Sequence, residues 1–230
     1  MSKDYSRLFL NLGIQFKNPQ LLRQAFTHRS YLNESRQSLQ SNERLEFLGD
    51  SILSLIISSY LFGLRPKDAE GDLTNLRSYI VKTTSLADAA ANLNLGSYLM
   101  LSHGEEMGGG RENSQLLANT YEALLGAVYL DQGLEAAEKM IHTTLLPLFE
   151  TQIKSGPPKD AKSQLQEVVQ NKTKESPQYK IIATRGPDHA KQFTVAVFVK
   201  GRELGKGIGS SKQTAEEQAA QQALKSFLNN

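Results

Sequence analysis

The sequence predicts two domains, an all-α body followed by a small α+β domain of order α-β-β-β-α, and three observations carry that prediction. Through the first two thirds of the chain, apolar residues recur at spacings of three, four and seven, the period of amphipathic helices. Farther on, Phe193, Val195, Val197 and Val199 alternate with Thr194, Ala196, Phe198 and Lys200, the two-residue period of a half-buried strand. Between the two patterns lies Lys154-Ser-Gly-Pro-Pro-Lys-Asp160, where two prolines after a glycine stop a helix and favour extended backbone. The domains are therefore expected at 1–153 and 160–230, with a linker at 154–159.

The helical stripes of the body are, in order, Leu45, Leu48, Ile52 and Leu55; Leu73, Leu76 and Ile80; Leu86 and Leu93; and Leu117, Leu124, Leu125 and Val128. Ser85 with Asp88 three residues later resembles a capping box opening the third of these helices. In the second domain Ser163 to Gln170 reads as a helix. Tyr179, Ile181 and Ala183 mark a first strand, Phe193 to Val199 a second and Glu203 to Ile208 a third. Ala215, Ala219, Ala220, Ala223, Leu224 and Phe227 mark one face of a closing helix that starts at Lys212. Both helices are free to pack on one face of the small sheet.

The 230 residues are 39% hydrophobic and 22% charged, a composition typical of soluble globular proteins. The chain has no cysteine, which excludes disulfides, cysteine-ligated zinc, iron–sulfur clusters and a thiol nucleophile together. His28, His103, His142 and His189 lack the H-E-x-x-H spacing of a helical zinc site. Ser51–Leu64, the longest uncharged apolar stretch, is too short and too rich in serine to span a bilayer, and no apolar h-region follows the charged N-terminus. A cytoplasmic protein without a membrane partner is expected.

The net charge of +2 conceals a division. Residues 1–157 hold 14 Lys+Arg against 17 Asp+Glu, a net −3, whereas residues 158–230 hold 12 against 7, a net +5. A basic second domain suits a polyanion, and an acidic body suits chemistry that needs clustered carboxylates. In Asn42-Glu-Arg-Leu-Glu-Phe-Leu-Gly-Asp-Ser51, Glu43, Glu46 and Asp50 fall at i, i+3 and i+7, so a helix places them on one face, approximately opposite Leu45, Leu48, Ile52 and Leu55. A second helix carries Asn119 and Glu122, three apart on one face. If the two helices pack, four oxygen-bearing side chains meet, the donor chemistry that holds Mg²⁺. From spacing alone, the wetted faces of two surface helices are the readier explanation of these acids.

The run Glu43-Arg-Leu-Glu-Phe-Leu-Gly-Asp-Ser51 resembles the signature of bacterial ribonuclease III. Thr27-His-Arg-Ser-Tyr-Leu-Asn-Glu34, Glu70-Gly-Asp-Leu-Thr-Asn-Leu-Arg77 and Thr120-Tyr-Glu-Ala-Leu-Leu-Gly-Ala-Val-Tyr-Leu-Asp131 resemble further blocks of that family in the same order. The C-terminal piece looks like the double-stranded-RNA-binding domain these enzymes carry. The resemblance implies an endoribonuclease that hydrolyses phosphodiesters of double-stranded RNA, including ribosomal RNA and other structured transcripts, and leaves 5′-phosphate and 3′-hydroxyl ends. It implies Mg²⁺, with Mn²⁺ able to substitute, and no organic cofactor. It makes Asp50 and Glu122 catalytic, Glu46, Asp50, Asn119 and Glu122 the metal set, and Glu43 and Glu70 neighbours contacting the metal's water shell or the RNA. Asn119 stands where the family usually has a fourth acid, which leaves open a catalytically silent duplex-RNA-binding protein.

The resemblance further implies a homodimer in which Phe47 enters a socket on the other subunit; by itself Phe47 also reads as a core aromatic. Duplex RNA is read by shape across its minor grooves. The elements suited to that are Gln166 and Gln170 on one helix face, His189 at the tip of the turn Gly186-Pro-Asp-His-Ala-Lys191, and Lys212 beside the helix N-terminus that closes Gly205-Lys-Gly-Ile-Gly-Ser-Ser-Lys-Gln-Thr-Ala-Glu216. Lys212-Gln213 replaces the family's usual pair of basic residues, so one phosphate contact is missing.

Overall fold

The structure, a computed structural model, describes residues 4–35, 39–156, 160–187 and 191–228, with Phe227 and Leu228 described by backbone alone. The chain divides into two compact units, Met1–Pro157 and Pro158–Asn230.

The first unit is helical: α1 (Ser6–Leu12), α2 (Pro19–Ala25), α3 (Arg29–Leu32), α4 (Glu43–Leu64), α5 (Glu70–Val81), α6 (Thr83–Asn92), α7 (His103–Met107), α8 (Ser114–Gln132), α9 (Leu134–Thr144) and α10 (Glu150–Ser155). Lys154 and Ser155, placed in the linker by sequence, are the last residues of α10. Two glycines set the central packing. A Cβ on Gly49 of α4 would lie 1.8 Å from the backbone oxygen of Glu122, and one on Gly126 of α8 would lie 2.3 Å from that of Leu45. Side chains at these positions would hold the helices apart, so glycine lets α4 and α8 touch backbone to backbone. Around that contact are buried Leu45, Ile52, Leu53, Ile56 and Ile57 of α4 and Leu117, Tyr121, Leu124, Leu125 and Val128 of α8. By length and composition α4 is apolar enough to cross a membrane. Its buried face supplies part of that apolarity, and exposed Phe47, Leu55, Phe62 and Leu64 supply much of the rest.

Leu55 is 52% exposed rather than buried. At 100° per residue the buried positions Leu45, Gly49, Ile52, Leu53, Ile56, Ile57 and Leu61 cover an arc of about 180° from Ile52 round to Leu61, and Leu55 lies about 60° beyond its Ile52 edge. Glu46 and Asp50 fall at the angles of Leu53, Ile57 and Leu61, within this arc and one or more turns before them, instead of standing opposite it. Ser85 opens no capping box: Lys82 occupies the N-cap of α6, and the Ser85 hydroxyl donates to the Tyr79 carbonyl at 3.0 Å.

The second unit consists of α11 (Ala161–Thr173), β1 (Gln178–Arg185), β2 (Gln192–Val199), β3 (Arg202–Gly209) and α12 (Lys212–Leu228), with the strands antiparallel in the order β1-β2-β3. Asp160 caps α11 by accepting from the Ser163 N–H at 2.8 Å. Lys200 and Gly201, both at positive φ, make the tight turn between β2 and β3. Leu165 and Val169 of α11, Val197 and Val199 of β2, and Ala219, Ala220 and Ala223 of α12 form the core. Strand alternation breaks in β1, where the register shifts between Ile181 and Ala183 and leaves Ile181 and Ile182 both exposed. Gly205, Gly207 and Gly209 all face α12; a Cβ on Gly207 would lie 2.2 Å from the Ala215 oxygen. These glycines allow close strand–helix packing. Phe227, assigned to the apolar face of α12, has a side chain outside the described residues.

Candidate functional site

The α4–α8 contact fixes the acidic cluster, because Gly49 lies between Glu46 and Asp50 in sequence and meets the backbone of Glu122 itself. Glu46 is half-buried, and its carboxyl is raised above the usual range by burial first, then by the charges of Glu43 and Asp50; a hydrogen bond from Asn119 opposes the rise. Glu122 is pushed up to about 7, again mainly by burial, with the charges of Asp50 and Glu46 adding to it. Asn119 Oδ1 accepts from Gln115 Nε2 at 2.7 Å, which turns the amide nitrogen toward Glu46. A cavity of about 430 Å³ opens beside the cluster, lined among others by His28, Glu43, Glu46, Gln115 and Asn119.

The carboxyls of Glu46, Asp50 and Glu122 offer oxygens only, and those of Glu46 and Glu122 are penalised by burial first and by neighbouring negative charge second; Asn119 turns its nitrogen to Glu46 while Gln115 holds its oxygen. A hard dication relieves both penalties, so the residues present fit Mg²⁺ or Mn²⁺. Among the described residues, however, no three His, Cys, Asp or Glu side chains are gathered closely enough to hold an ion. The expectation that four side chains meet at one point is thus met only as far as one shared edge of α4 and α8.

Glu43 is exposed at the start of α4, accepting from Ser41 Oγ at 2.9 Å and facing Arg29 at 3.6 Å. Glu70 is not brought to the cluster within one chain. It lines a separate cavity with Ser58, Phe62, Leu73 and Arg77. Its helix α5 is tied to α4 by the Arg77–Ser58 hydrogen bond of 2.9 Å, and Ser58 is about 18 Å along α4 from Glu46 at 1.5 Å per residue. Phe47 is 78% exposed and therefore not a core aromatic. With Leu55 and Phe62, also exposed, it forms an apolar strip along α4. Tyr121, fully buried with its hydroxyl 2.7 Å from Thr144 Oγ1, and Thr120, bonded to the Leu116 carbonyl, are structural.

In the second unit Gln166 and Gln170 are exposed on one face of α11, and Gln170 Nε2 donates to Ser176 Oγ at 3.3 Å. Lys212 is exposed at the first position of α12. His189 lies outside the described residues. Lys162 pairs with Glu216, and the Ala161 N–H donates to Glu217 Oε1 at 2.6 Å, which ties the starts of α11 and α12 together.

The Ribonuclease-III-like family model matches residues 18–148, and the double-stranded RNA binding motif matches residues 161–226. Ribonuclease 3 of Pelotomaculum thermopropionicum is 47% identical over 214 residues, covering 93% of this chain and 89% of that protein. The chain belongs to the ribonuclease III family. Ribonuclease 3 of Geobacillus kaustophilus is 46% identical over 224 residues, covering 97% of this chain and 91% of its own. Among solved structures, the nuclease domain of ribonuclease III from Campylobacter jejuni, described for flexibility in a region involved in dimer formation, aligns with a TM-score of 0.60 at 39% identity. It covers 64% of this chain and 99% of that one.

Within this ribonuclease III fold, sequence reasoning passed over Gln115, although its place four residues before Asn119 on the same helix face was a readable signal. It also assigned no role to His28, which shares the cavity beside the acids.

Proposed function

We propose that this double-strand-specific endoribonuclease hydrolyses RNA phosphodiesters with Mg²⁺ held by Glu46, Asp50, Asn119 and Glu122, leaving 5′-phosphate and 3′-hydroxyl ends. The supporting observation is the backbone contact of Gly49 with Glu122, which brings acids from two helices to one edge and raises the Glu46 and Glu122 carboxyls. Bound there, Mg²⁺ supplies a more acidic water for attack on phosphorus and neutralises charge at the departing 3′ oxygen. The chain's own part is to present oxygen ligands and to hold the RNA; no protein nucleophile is required. Glu122 has to release its proton before it can ligate, so metal affinity rises with pH up to about 7.

The second unit grips the duplex through Gln166, Gln170 and Lys212. In Lys212→Ala the slope of log K against log salt is expected to fall by about 0.7 to 0.9, the value for one released counterion. An unchanged slope in a salt titration removes Lys212 from the interface. The working form is a homodimer. The exposed strip Phe47, Leu55 and Phe62 is the surface we assign to it, because such apolar side chains aligned on one helix face are better covered than wetted.

Asn119 favours a second reading, a silent duplex-RNA-binding protein, because an amide brings no negative charge to the metal set. Asn119→Asp separates the two. With Asn119 as a neutral ligand, the substitution is expected to move half-maximal cleavage to lower Mg²⁺. Superimposable metal titrations mean that Asn119 is not a ligand. A parent that never cuts, rescued by Asp, establishes the silent reading.

A further inference from the structure

His28 occupies the N-cap of α3 and sits where two cavities meet. One, of about 430 Å³, reaches Glu46 and Asn119. The other, of about 580 Å³, runs toward Glu105 and Asn113; Arg29, Gln115 and Leu116 line both. The tautomer of His28 follows from its neighbours. The Ser30 N–H donates to Nδ1 at 3.3 Å, so Nδ1 must present a lone pair. Ser30 Oγ, 2.8 Å from Nδ1, accepts from the Ser102 N–H at 3.0 Å and is left to direct its own hydrogen at the same nitrogen. The ring proton is therefore on Nε2, which has no hydrogen-bond partner among the described residues. Burial lowers the imidazole below its usual value, consistent with a neutral ring.

The wall next to the acids thus offers neutral donors, the His28 Nε2–H and the Gln115 and Asn119 amides, with the Arg29 guanidinium near them. A strand whose scissile phosphate lies at Glu46 and Glu122 must carry its neighbouring nucleotide past this wall. The groups that nucleotide presents are hydrogen-bond acceptors, its phosphate oxygens and its ribose 2′-hydroxyl. We infer that His28 is a substrate-contact residue whose Nε2–H donates to a backbone oxygen of the RNA strand at the nucleotide flanking the cleaved bond, in a subsite shared with Gln115. This inference rests on the endonuclease reading above.

Two substitutions in the full-length protein separate contact from scaffold. In His28→Asn the Oδ1 takes over the cap to the Ser30 N–H, since asparagine is among the best N-cap residues, but nothing reaches the place of Nε2. In His28→Gln an amide N–H reaches that place. His28→Asn is expected to keep the parent's melting temperature and Mg²⁺ half-saturation yet cleave a duplex at limiting substrate about tenfold more slowly, the loss of one hydrogen bond. His28→Gln is expected to recover most of that loss. Duplexes carrying a single 2′-deoxynucleotide, or a single methylphosphonate, scanned across the cut then identify the oxygen. One position should penalise the parent but not His28→Asn, and the arm in which it appears tells hydroxyl from phosphate. His28→Asn cleaving like the parent, losing melting temperature in step with activity, or leaving every scan penalty unchanged overturns the inference. A parent that does not cut any duplex overturns the endonuclease reading instead, and the inference with it.

Discussion

Replacing Glu122 by glutamine is expected to reduce duplex cleavage about a thousandfold or more, because metal stabilisation of the transition state amounts to several kcal/mol and depends on ligand charge. Affinity for duplex RNA in chelator should stay nearly constant, since the basic second unit provides most of it. A parallel loss of binding would instead give Glu122 a structural role. The same variant checks the electrostatics. Glu122 is raised from 4.5 in the unfolded chain to about 7 in the fold, so ionising it disfavours the folded state. Its contribution to stability is complete below pH about 4.5 and is lost as pH climbs through about 7. In chelator, the melting temperature of the parent should therefore fall across that window relative to Glu122→Gln, whose amide does not titrate. Parallel curves would show that the carboxyl is not buried as described.

The other large effect concerns packing. Gly49→Ala places a methyl 1.8 Å from the Glu122 oxygen and 2.6 Å from its carbonyl carbon, so α4 and α8 must separate. The cost is expected to reach about 3 kcal/mol or more, outweighing the gain of about 1 kcal/mol in helix propensity from removing a glycine. Gly63, on the same helix with nothing within 4 Å of its Cβ position, is the control. Gly63→Ala should be neutral or stabilising by up to about 1 kcal/mol. Denaturant unfolding of the two variants decides the matter. Equal stabilities would mean that the α4–α8 contact is not set by glycine.

The α-β-β-β-α order and the long helices were legible because period is a local property; Leu76, Ile80, Leu124 and Val128 are buried as their spacing implies. Less legible was anything fixed by the partner of an element. Leu55 matches the helical period but lies beyond the edge of the buried stripe, and only the direction from which α8 approaches decides that. Gly49 and Gly126 read as unremarkable helix glycines until the opposing backbone is seen. Glu70 belongs to a motif block near the acids in sequence order, yet α5 folds against the distant half of α4. The glycines of β3, read with the phosphate-facing helix start, accommodate α12. In the acidic cluster, spacing placed Glu46 and Asp50 on one helix face and Asn119 and Glu122 on another, but the Gly49–Glu122 contact that brings the two faces to one edge is a property of the packing. Burial, which raises Glu46 and Glu122, is not visible in spacing.

The most direct measurement is incubation of the protein with a long RNA duplex at fixed pH, with Mg²⁺ or with excess chelator, followed by analysis of fragment length and end groups. Short duplex products bearing 5′-phosphate and 3′-hydroxyl ends, formed with Mg²⁺ and absent in chelator, are the predicted result. Undiminished cleavage in chelator, or products with 2′,3′-cyclic phosphate ends, would contradict a metal-assisted hydrolysis at the α4–α8 edge.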